Sequence, residues 1–269
     1  MIDLCRMKGR YKRSRLVVLC VIATVLVAVA VICAVRPREP EYQGKTASVW
    51  FRQLNFPPRQ GDPAARALVE MGSEVVPYMA RRVGGPKTFF DKTRDWIWFR
   101  LPPALGAKFP APDDWRVHGK AAWILSKMGP DARTAVPALR TALNNPQQIV
   151  RCFAVEALGR IGEKSRETVG ALSTTLRGDP DSTVRSQAAE ALGRLGAAAR
   201  SALPSLVELL KANDPWTRNV AAEAIMAIDR EKAADVFQAL HERGISLDEF
   251  LNLQTRAQME PWRGMPSMP

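Results

Sequence analysis

The chain has 269 residues and a formal net charge of +12, from 39 Lys/Arg against 27 Asp/Glu. Residues 1–35 hold six of the basic residues and one acidic residue, so residues 36–269 carry a surplus of only +7. That surplus is compatible with anionic partners but does not define a nucleic-acid-binding protein. Of the four cysteines, Cys152 alone follows the N-terminal segment, which excludes a disulfide-stapled domain.

The N-terminal segment has the pattern of a membrane anchor. Residues 1–15 form a basic tail, and Leu16–Val35 follow without a charged residue. Twenty helical residues extend about 30 Å, the thickness of a bilayer's hydrocarbon core. We therefore predict a transmembrane helix at 16–35. The rival interpretation is a cleavable signal peptide, whose apolar region is usually shorter, about 7–15 residues.

The charges beside this segment predict its orientation. The basic flank favours a cytoplasmic N-terminus, so the chain after it should lie outside, in the periplasm or extracellular space. We expect a single-pass protein of the plasma (inner) membrane. Residues 36–44 contain two prolines and read as an extended linker, after which 45–54 predict a short amphipathic helix. Residues 259–269 are predicted to form a disordered tail.

A repeat array is predicted over 45–258. Four rows nearly repeat one another, with starts 33, 34 and 33 residues apart: "VHGKAAWILSKMG" (117–129), "VRCFAVEALGRIG" (150–162), "VRSQAAEALGRLG" (184–196) and "TRNVAAEAIMAID" (217–229). Apolar residues recur in each row at helical spacing. A glycine ends the first three rows, where a left-handed residue can end a helix, and Asp229 replaces it in the fourth.

A second helix is predicted after each of these glycines. "TAVPALRTAL" (134–143) and "SALPSLVELL" (201–210) match one another, and proline fits the first turn of a helix. Between repeats stand Asn145-Pro146, Asp179-Pro180 and Asp214-Pro215, each predicted to cap the next helix with proline at its first position. "DPAARALVEMG" (62–72) and "EVVPYMARRV" (74–83) form a degenerate first repeat. A fixed period of this kind predicts stacked helical hairpins with a shared core.

An aromatic insert at 84–114 interrupts the period. Trp96, Trp98 and Phe99 are the residues within it that we select as candidates for a partner-binding or membrane-surface patch, because tryptophan and arginine are favoured at both kinds of interface. The alternative is that these aromatic residues cover the end of the helical array. The sequence leaves both interpretations open.

Two ladders of charge run along the repeats in register. Arg151, Arg185 and Arg218 share one position, and Glu156, Glu190 and Glu223 share another. Arg160 and Arg194 follow two of the glutamates by four residues, a favourable spacing for ion pairs on a helix. One interpretation is ion pairing that fixes the repeat spacing. The other is a basic stripe that binds an anionic partner.

The pattern "VRxxAxEALGRxG" followed by "AVPAL" or "ALPSL" resembles HEAT repeats of the short, phycobilisome-lyase type, over about 63–242. The lead-in "EYQGKTASVWFRQL" resembles that of bacterial, membrane-anchored HEAT proteins. This resemblance implies an all-α fold, an α-solenoid of about five helical hairpins preceded by one transmembrane helix. It implies a protein-binding scaffold more often than an enzyme, and fold alone does not decide between them.

The chain offers little for catalysis. His118 falls in the position of the ladder arginines, and His241-Glu242 is a single His-Glu pair where a HEAT-type iron hydroxylase needs several. We therefore expect no enzyme, cofactor or metal site. The leading hypothesis is a membrane-anchored scaffold for an unknown protein partner, with no nucleic acid involved. The alternatives are a binder of anionic polymers or lipid headgroups, and a lyase-like enzyme of the bilin-lyase class.

Overall fold

The computed structural model describes residues 39–57, 61–84, 96, 100, 115–212 and 214–242. Contacts divide the chain into two units, Met1–Glu39 and Pro40–Pro269, and the repeats belong to the second. The predicted anchor at 16–35 and the predicted tail at 259–269 lie outside the described residues. Within the described ranges, no helix has both the length and the apolar character needed to cross a bilayer.

The repeat unit begins with a small β-hairpin that the sequence did not predict. Strands β1 (Glu41–Tyr42) and β2 (Lys45–Thr46) pair antiparallel, and Gln43 and Gly44 turn between them with positive φ. Helix α1 (Ala47–Gln53) therefore begins two residues later than the expected start at 45. Trp50 ties α1 to the hairpin, since its indole Nε1 donates to the Tyr42 carbonyl at 3.0 Å. Lys45 Nζ lies 4.3 Å from the centre of the Trp50 ring.

The degenerate first repeat is a helical hairpin, as predicted. Helix α2 (Pro63–Glu70) leads through a 3₁₀ turn at Gly72–Val75 into α3 (Val76–Val83). Asp62 caps α2 and Pro63 is its first residue. The Asp62 carboxylate accepts hydrogen bonds from Ala64 N at 2.9 Å and from Asn55 N and Nδ2 at 3.2 and 2.9 Å.

The Asp62 carboxylate makes folding stability depend on pH. Burial raises the pKa of Asp62, but the hydrogen bonds from Asn55 and Ala64 outweigh burial, so its pKa lies below the ordinary value of 3.8. A lowered folded pKa means that its stabilisation is present above that ordinary value and is lost as pH falls through the folded pKa. We expect the stability advantage of wild type over Asp62→Asn to shrink between about pH 6 and pH 3. Urea unfolding at several pH values measures it, and an advantage constant with pH would contradict it.

The remaining helices alternate between first and second helices of the repeats. They are α4 (Trp115–Met128), α5 (Val136–Ala142), α6 (Gln148–Ile161), α7 (Arg166–Gly178), α8 (Ser182–Leu195), α9 (Leu203–Leu209), α10 (Pro215–Ile228) and α11 (Arg230–Glu242). The first helices, α4, α6, α8 and α10, match the four predicted rows to within two or three residues at each end. Short 3₁₀ turns at Gly129–Ala135 and Gly196–Ala202 precede α5 and α9 and were not predicted.

First helices of neighbouring repeats pack directly on one another, from α4 through α6 and α8 to α10. Small residues allow this close approach. A Cβ added at Gly159 would lie 2.8 Å from Ala191 Cβ and 2.9 Å from Ala191 Cα, and one at Gly193 would lie 3.0 Å from Ala224 Cα. The apolar side chains between first and second helices form one continuous core along the array.

The turns after the first helices confirm the role predicted for their glycines. Gly129, Gly162 and Gly196 have φ of +58°, +68° and +61°, a conformation that strains residues with a side chain. Asp229 holds the equivalent place in the fourth repeat with an extended backbone, φ −155°. It is the single residue between α10 and α11. The fourth repeat therefore turns differently because its residue there carries a Cβ.

The turns between repeats differ in part from the prediction. Asp214 caps α10 and Pro215 is its first residue, as expected. Helices α6 and α8, however, begin after Gln147 and Asp181, so the prediction that Asn145 and Asp179 cap them was wrong. Each of these two side chains instead accepts from the backbone N–H two residues on, at 2.9 Å, which forms an Asx turn. Both oxygens of the Asp179 carboxylate also accept from Arg151 in the preceding repeat.

Candidate partner-binding surface

The three ladder arginines perform a common structural task. The Nη1 atom of each donates to the backbone carbonyl six residues earlier: Arg151 to Asn145 at 3.0 Å, Arg185 to Asp179 at 2.8 Å and Arg218 to Ala212 at 3.0 Å. These carbonyls belong to the turn between repeats. The arginines therefore hold each turn against the first helix that follows it. The same bonds place Asn145, Asp179 and Ala212 at equivalent positions in three successive turns.

Arg151 also binds the next repeat. Its Nε and Nη2 atoms donate to the two oxygens of the Asp179 carboxylate at 2.7 and 2.9 Å. Both residues are 8% exposed, and the hydrogen bonds that Arg151 donates to Asp179 raise the pKa of Arg151. Arg151 therefore supports the interpretation of ion pairing between repeats over that of an accessible basic stripe, because burial and four hydrogen bonds commit its guanidinium to the fold. Partner binding by Arg185 and Arg218 stays a prediction.

His118 occupies the arginine position in the preceding repeat, as the sequence indicates. Its Nδ1 lies 3.3 Å from Asn145 Nδ2, so His118, like Arg151, contacts the turn of the next repeat.

Cys152 follows Arg151 and is 8% exposed, and burial raises the pKa of its thiol to about 11. That pKa keeps the thiol protonated at neutral pH, as in a buried structural cysteine. Within the described part of the chain, no cluster of His, Cys, Asp and Glu could hold a metal ion.

The glutamate ladder forms the predicted ion pairs on the outer surface of the first helices. Arg160 Nε lies 3.0 Å from Glu156 Oε1, and Arg194 Nη2 lies 2.6 Å from Glu190 Oε1. The two pairs line a shallow cavity of about 220 Å³ together with Ala191 and Gln187. Because each cation there already has a carboxylate beside it, the cavity offers no surplus charge to a ligand.

The second helices present a different surface, which we call the second-helix face. It consists of exposed residues at matching positions on α5, α7 and α9: Pro137, Thr141, Gly170, Thr174 and Pro204. The hydroxyls of Thr141 and Thr174 donate back to the carbonyls of Pro137 and Gly170, at 3.2 and 3.0 Å. Methyl groups, proline rings and glycine backbone therefore face the solvent. At the remaining matching position, on α9, stands the exposed carboxylate of Glu208, so the part of this face without charge is centred on α5 and α7.

Exposed basic residues border the second-helix face on both sides. Arg133, Arg166 and Arg200 recur at one repeat position along one side, and Arg177 and Lys211 recur along the other. Some of this charge is already paired, since Arg200 Nε lies 3.2 Å from Asp229 Oδ2 and Lys211 Nζ lies 2.8 Å from Glu208 Oε1. The border is therefore only moderately basic.

Two exposed apolar side chains escaped the sequence interpretation. Trp216 is 68% exposed and Ile149 is 37% exposed, and both stand in the first turn of a first helix. The sequence signal for their exposure was their repeat position. Each residue immediately precedes the position at which the apolar stripe of its helix begins.

In the insert, Trp96 is 57% exposed with Arg100 Cζ 4.3 Å from its ring centre. Trp98 and Phe99, the other candidates there, lie outside the described residues.

Stacked helical hairpins with a period of 33 or 34 residues define the class of this protein, an α-solenoid of helical repeats. A family model described as HEAT repeats matches residues 103–193 and 169–244, which together make up just over half of the chain. The chain belongs to the HEAT-repeat family.

Several solved structures of repeat proteins resemble this chain at low sequence identity. An engineered protein is 20% identical with a TM-score of 0.45, over 81% of this chain and 94% of that one. The CpcE–CpcF complex of phycocyanin lyase from Nostoc sp. PCC7120 is 21% identical with a TM-score of 0.46, over 79% and 74%. A designed armadillo repeat protein in complex with the peptide (KR)4 is 18% identical with a TM-score of 0.41, over 80% and 96%. A comparison with curated proteins gives no match.

Proposed function

We propose that this protein is a non-enzymatic scaffold that binds a protein partner on its second-helix face. The observation that carries the proposal is the chemistry of that face, where Pro137, Thr141, Gly170 and Thr174 present carbon-rich, uncharged surface between basic borders. Surfaces of this kind bury easily under a partner because few polar groups lose water. Membership of the HEAT-repeat family supports the same conclusion, since such arrays present extended binding surfaces.

We further propose that the scaffold is held at the plasma membrane and faces outward. The uncharged run Leu16–Val35 and the basic residues before it support this part of the proposal. The partner is then a periplasmic or extracellular protein.

Proximity labelling in native membranes tests the proposal, with the labelling enzyme fused after Pro269. We expect labelled envelope proteins, and we expect the chain to stay in the membrane pellet after alkaline carbonate extraction. Thr174→Arg puts a long charged side chain on the second-helix face and should deplete the main labelled partner about tenfold, equivalent to roughly 1.4 kcal/mol. Ala227→Arg, on an exposed position of first helix α10, is the matched control.

Three outcomes would contradict the proposal. Labelled cytoplasmic proteins would reverse the orientation. Release into the carbonate supernatant would show a cleaved signal in place of an anchor. Equal labelling by the Thr174→Arg variant and the wild type would remove the second-helix face from partner binding.

A further inference from the structure

We infer that the turn at Ala212 holds an unfilled carboxylate site, in which Arg185 binds an acidic residue of a partner protein beside Trp216. This inference rests on the proposed function and names the chemistry of the partner at a second place on the array. It arises from comparing one repeat of the chain with the next, since the same site is filled by the chain itself one repeat earlier.

The filled site is the template. Arg151 directs Nη1 to its own turn, at the carbonyls of Asn145 and Pro146, and directs its Nε–Nη2 edge to the carboxylate of Asp179 in the following turn. Two parallel bonds of 2.7 and 2.9 Å make this the bidentate geometry that arginine and carboxylate prefer. The repeat period places an equivalent arginine, Arg185, 34 residues later.

Arg185 makes the bonds to its own turn that Arg151 makes, but it lacks the bonds to a carboxylate in the following turn. Its Nη1 donates to the carbonyls of Asp179 and Pro180, at 2.8 and 3.4 Å, as Arg151 does in its own turn. The residue equivalent to Asp179 in the following turn is Ala212, which has no carboxylate. Among the residues that the structure describes, nothing bonds to the Nε–Nη2 edge of Arg185. Arg185 thus has two donors without a bond to a described residue, at the repeat position where the equivalent donors of Arg151 bind a carboxylate.

The acid nearest in sequence does not fill the site. Asp214 caps α10, and its Oδ2 accepts from Thr217 N at 2.9 Å and Thr217 Oγ1 at 2.6 Å. Hydrogen bonding from Thr217 lowers the pKa of Asp214, and the nearby charge of Arg218 lowers it further. The carboxylate of Asp214 is therefore committed to its helix, and the edge of Arg185 is served by none of the turn's described side chains.

An exposed apolar side chain follows the same turn, since Trp216 lies four residues after Ala212. It stands two residues after the cap of α10 and is 68% exposed, the largest exposure among the big apolar side chains described. Tryptophan and arginine are both enriched in binding hot spots. The ligand that fits is an acidic side chain with an apolar neighbour, carried by a flexible segment of a protein.

Direct binding to the full-length protein in detergent tests the inference. The probe is a fluorescein-labelled peptide of alternating Glu and Leu, and its matched control replaces every Glu with Gln. We expect wild type to bind the Glu peptide at least about tenfold more tightly than the Gln peptide, because a bidentate charged bond contributes that much. Arg185→Ala should abolish the preference. Arg52→Ala, which removes an exposed arginine from α1, should keep it.

Ala212→Asp is the more decisive variant, because it supplies the missing carboxylate from within the chain. We expect it to abolish the preference for the Glu peptide and to raise the thermal unfolding midpoint of the repeats. A Glu preference that survives in both Ala212→Asp and Arg185→Ala, or is absent from wild type, would overturn the inference. Binding of phosphatidylserine vesicles through Arg185 without binding of the Glu peptide would overturn it also.

The same variant separates this inference from the proposed function. If Ala212→Asp leaves the labelled partners of the native protein unchanged while Thr174→Arg depletes them, only the carboxylate site is wrong. If the Glu peptide binds through Arg185 but no partner depends on the second-helix face, only the proposed face is wrong.

Discussion

Replacing Arg151 with alanine is expected to lower the free energy of unfolding by about 3–5 kcal/mol, the usual cost of removing one partner from a buried ion pair. The substitution leaves the carboxylate of Asp179, 8% exposed, without the two donors that face it. It also releases the carbonyls of Asn145 and Pro146 from the guanidinium. Urea unfolding followed by circular dichroism measures the effect.

An exposed pair in the same array provides the control. Arg194 and Glu190 form a 2.6 Å ion pair with side chains 39% and 55% exposed, and Arg194→Ala should cost no more than about 0.5 kcal/mol. In the Arg151→Ala background, Asp179→Ala should lower the free energy of unfolding much less than it does in the wild type. The reason is that the two residues act through one ion pair. Additive losses would show that Arg151 stabilises the fold by packing and not through Asp179.

Gly159→Ala is expected to destabilise the array by about 1–3 kcal/mol, although alanine usually favours helix over glycine. The new Cβ would lie 2.8 and 2.9 Å from Ala191 Cβ and Cα, and one of these is backbone that cannot turn aside. Helices α6 and α8 must then move apart. Thermal unfolding of the variant measures the loss.

Gly170→Ala is the matched substitution, and we expect it to change the stability of the array in the opposite direction. Gly170 also lies inside a helix, α7, but a Cβ there meets no atom within 4 Å. Here alanine should stabilise by about 0.5–1 kcal/mol, because it restricts the unfolded chain without meeting a neighbour. Similar effects of the two substitutions would mean that helix propensity, and not contact between first helices, decides them.

Features that depend on local spacing were predictable from the sequence. The rows at 117–229 predicted the first helices, and the last position of each of the first three rows predicted the glycines with positive φ. The ion pairs Glu156–Arg160 and Glu190–Arg194 followed from a spacing of four residues on a helix. In each case the interacting groups lie within one turn or one helix, so the periodicity alone brings them together.

Features that depend on side-chain geometry between repeats were not predictable. Arg151 reads as an exposed ladder position, since arginine is rarely buried, yet its partner lies 28 residues away in the next turn. The role of Asp179 was hidden for a related reason, because an Asp-Pro pair fits an N-cap and an Asx turn equally well. The exposure of Trp216 was not predicted, because its neighbours Asp214 and Pro215 indicate only the cap of a helix.

The close contact of Gly159 with Ala191, and of Gly193 with Ala224, makes the two sides of the array mechanically unequal. First helices touch through backbone and Cβ atoms, which resist compression, whereas second helices of neighbouring repeats touch far less. Bending therefore costs little only where the second helices approach or separate while the first helices keep their spacing. A partner bound across the second-helix face would then change the curvature of the array, and tension on the array would in turn change how tightly that partner is held.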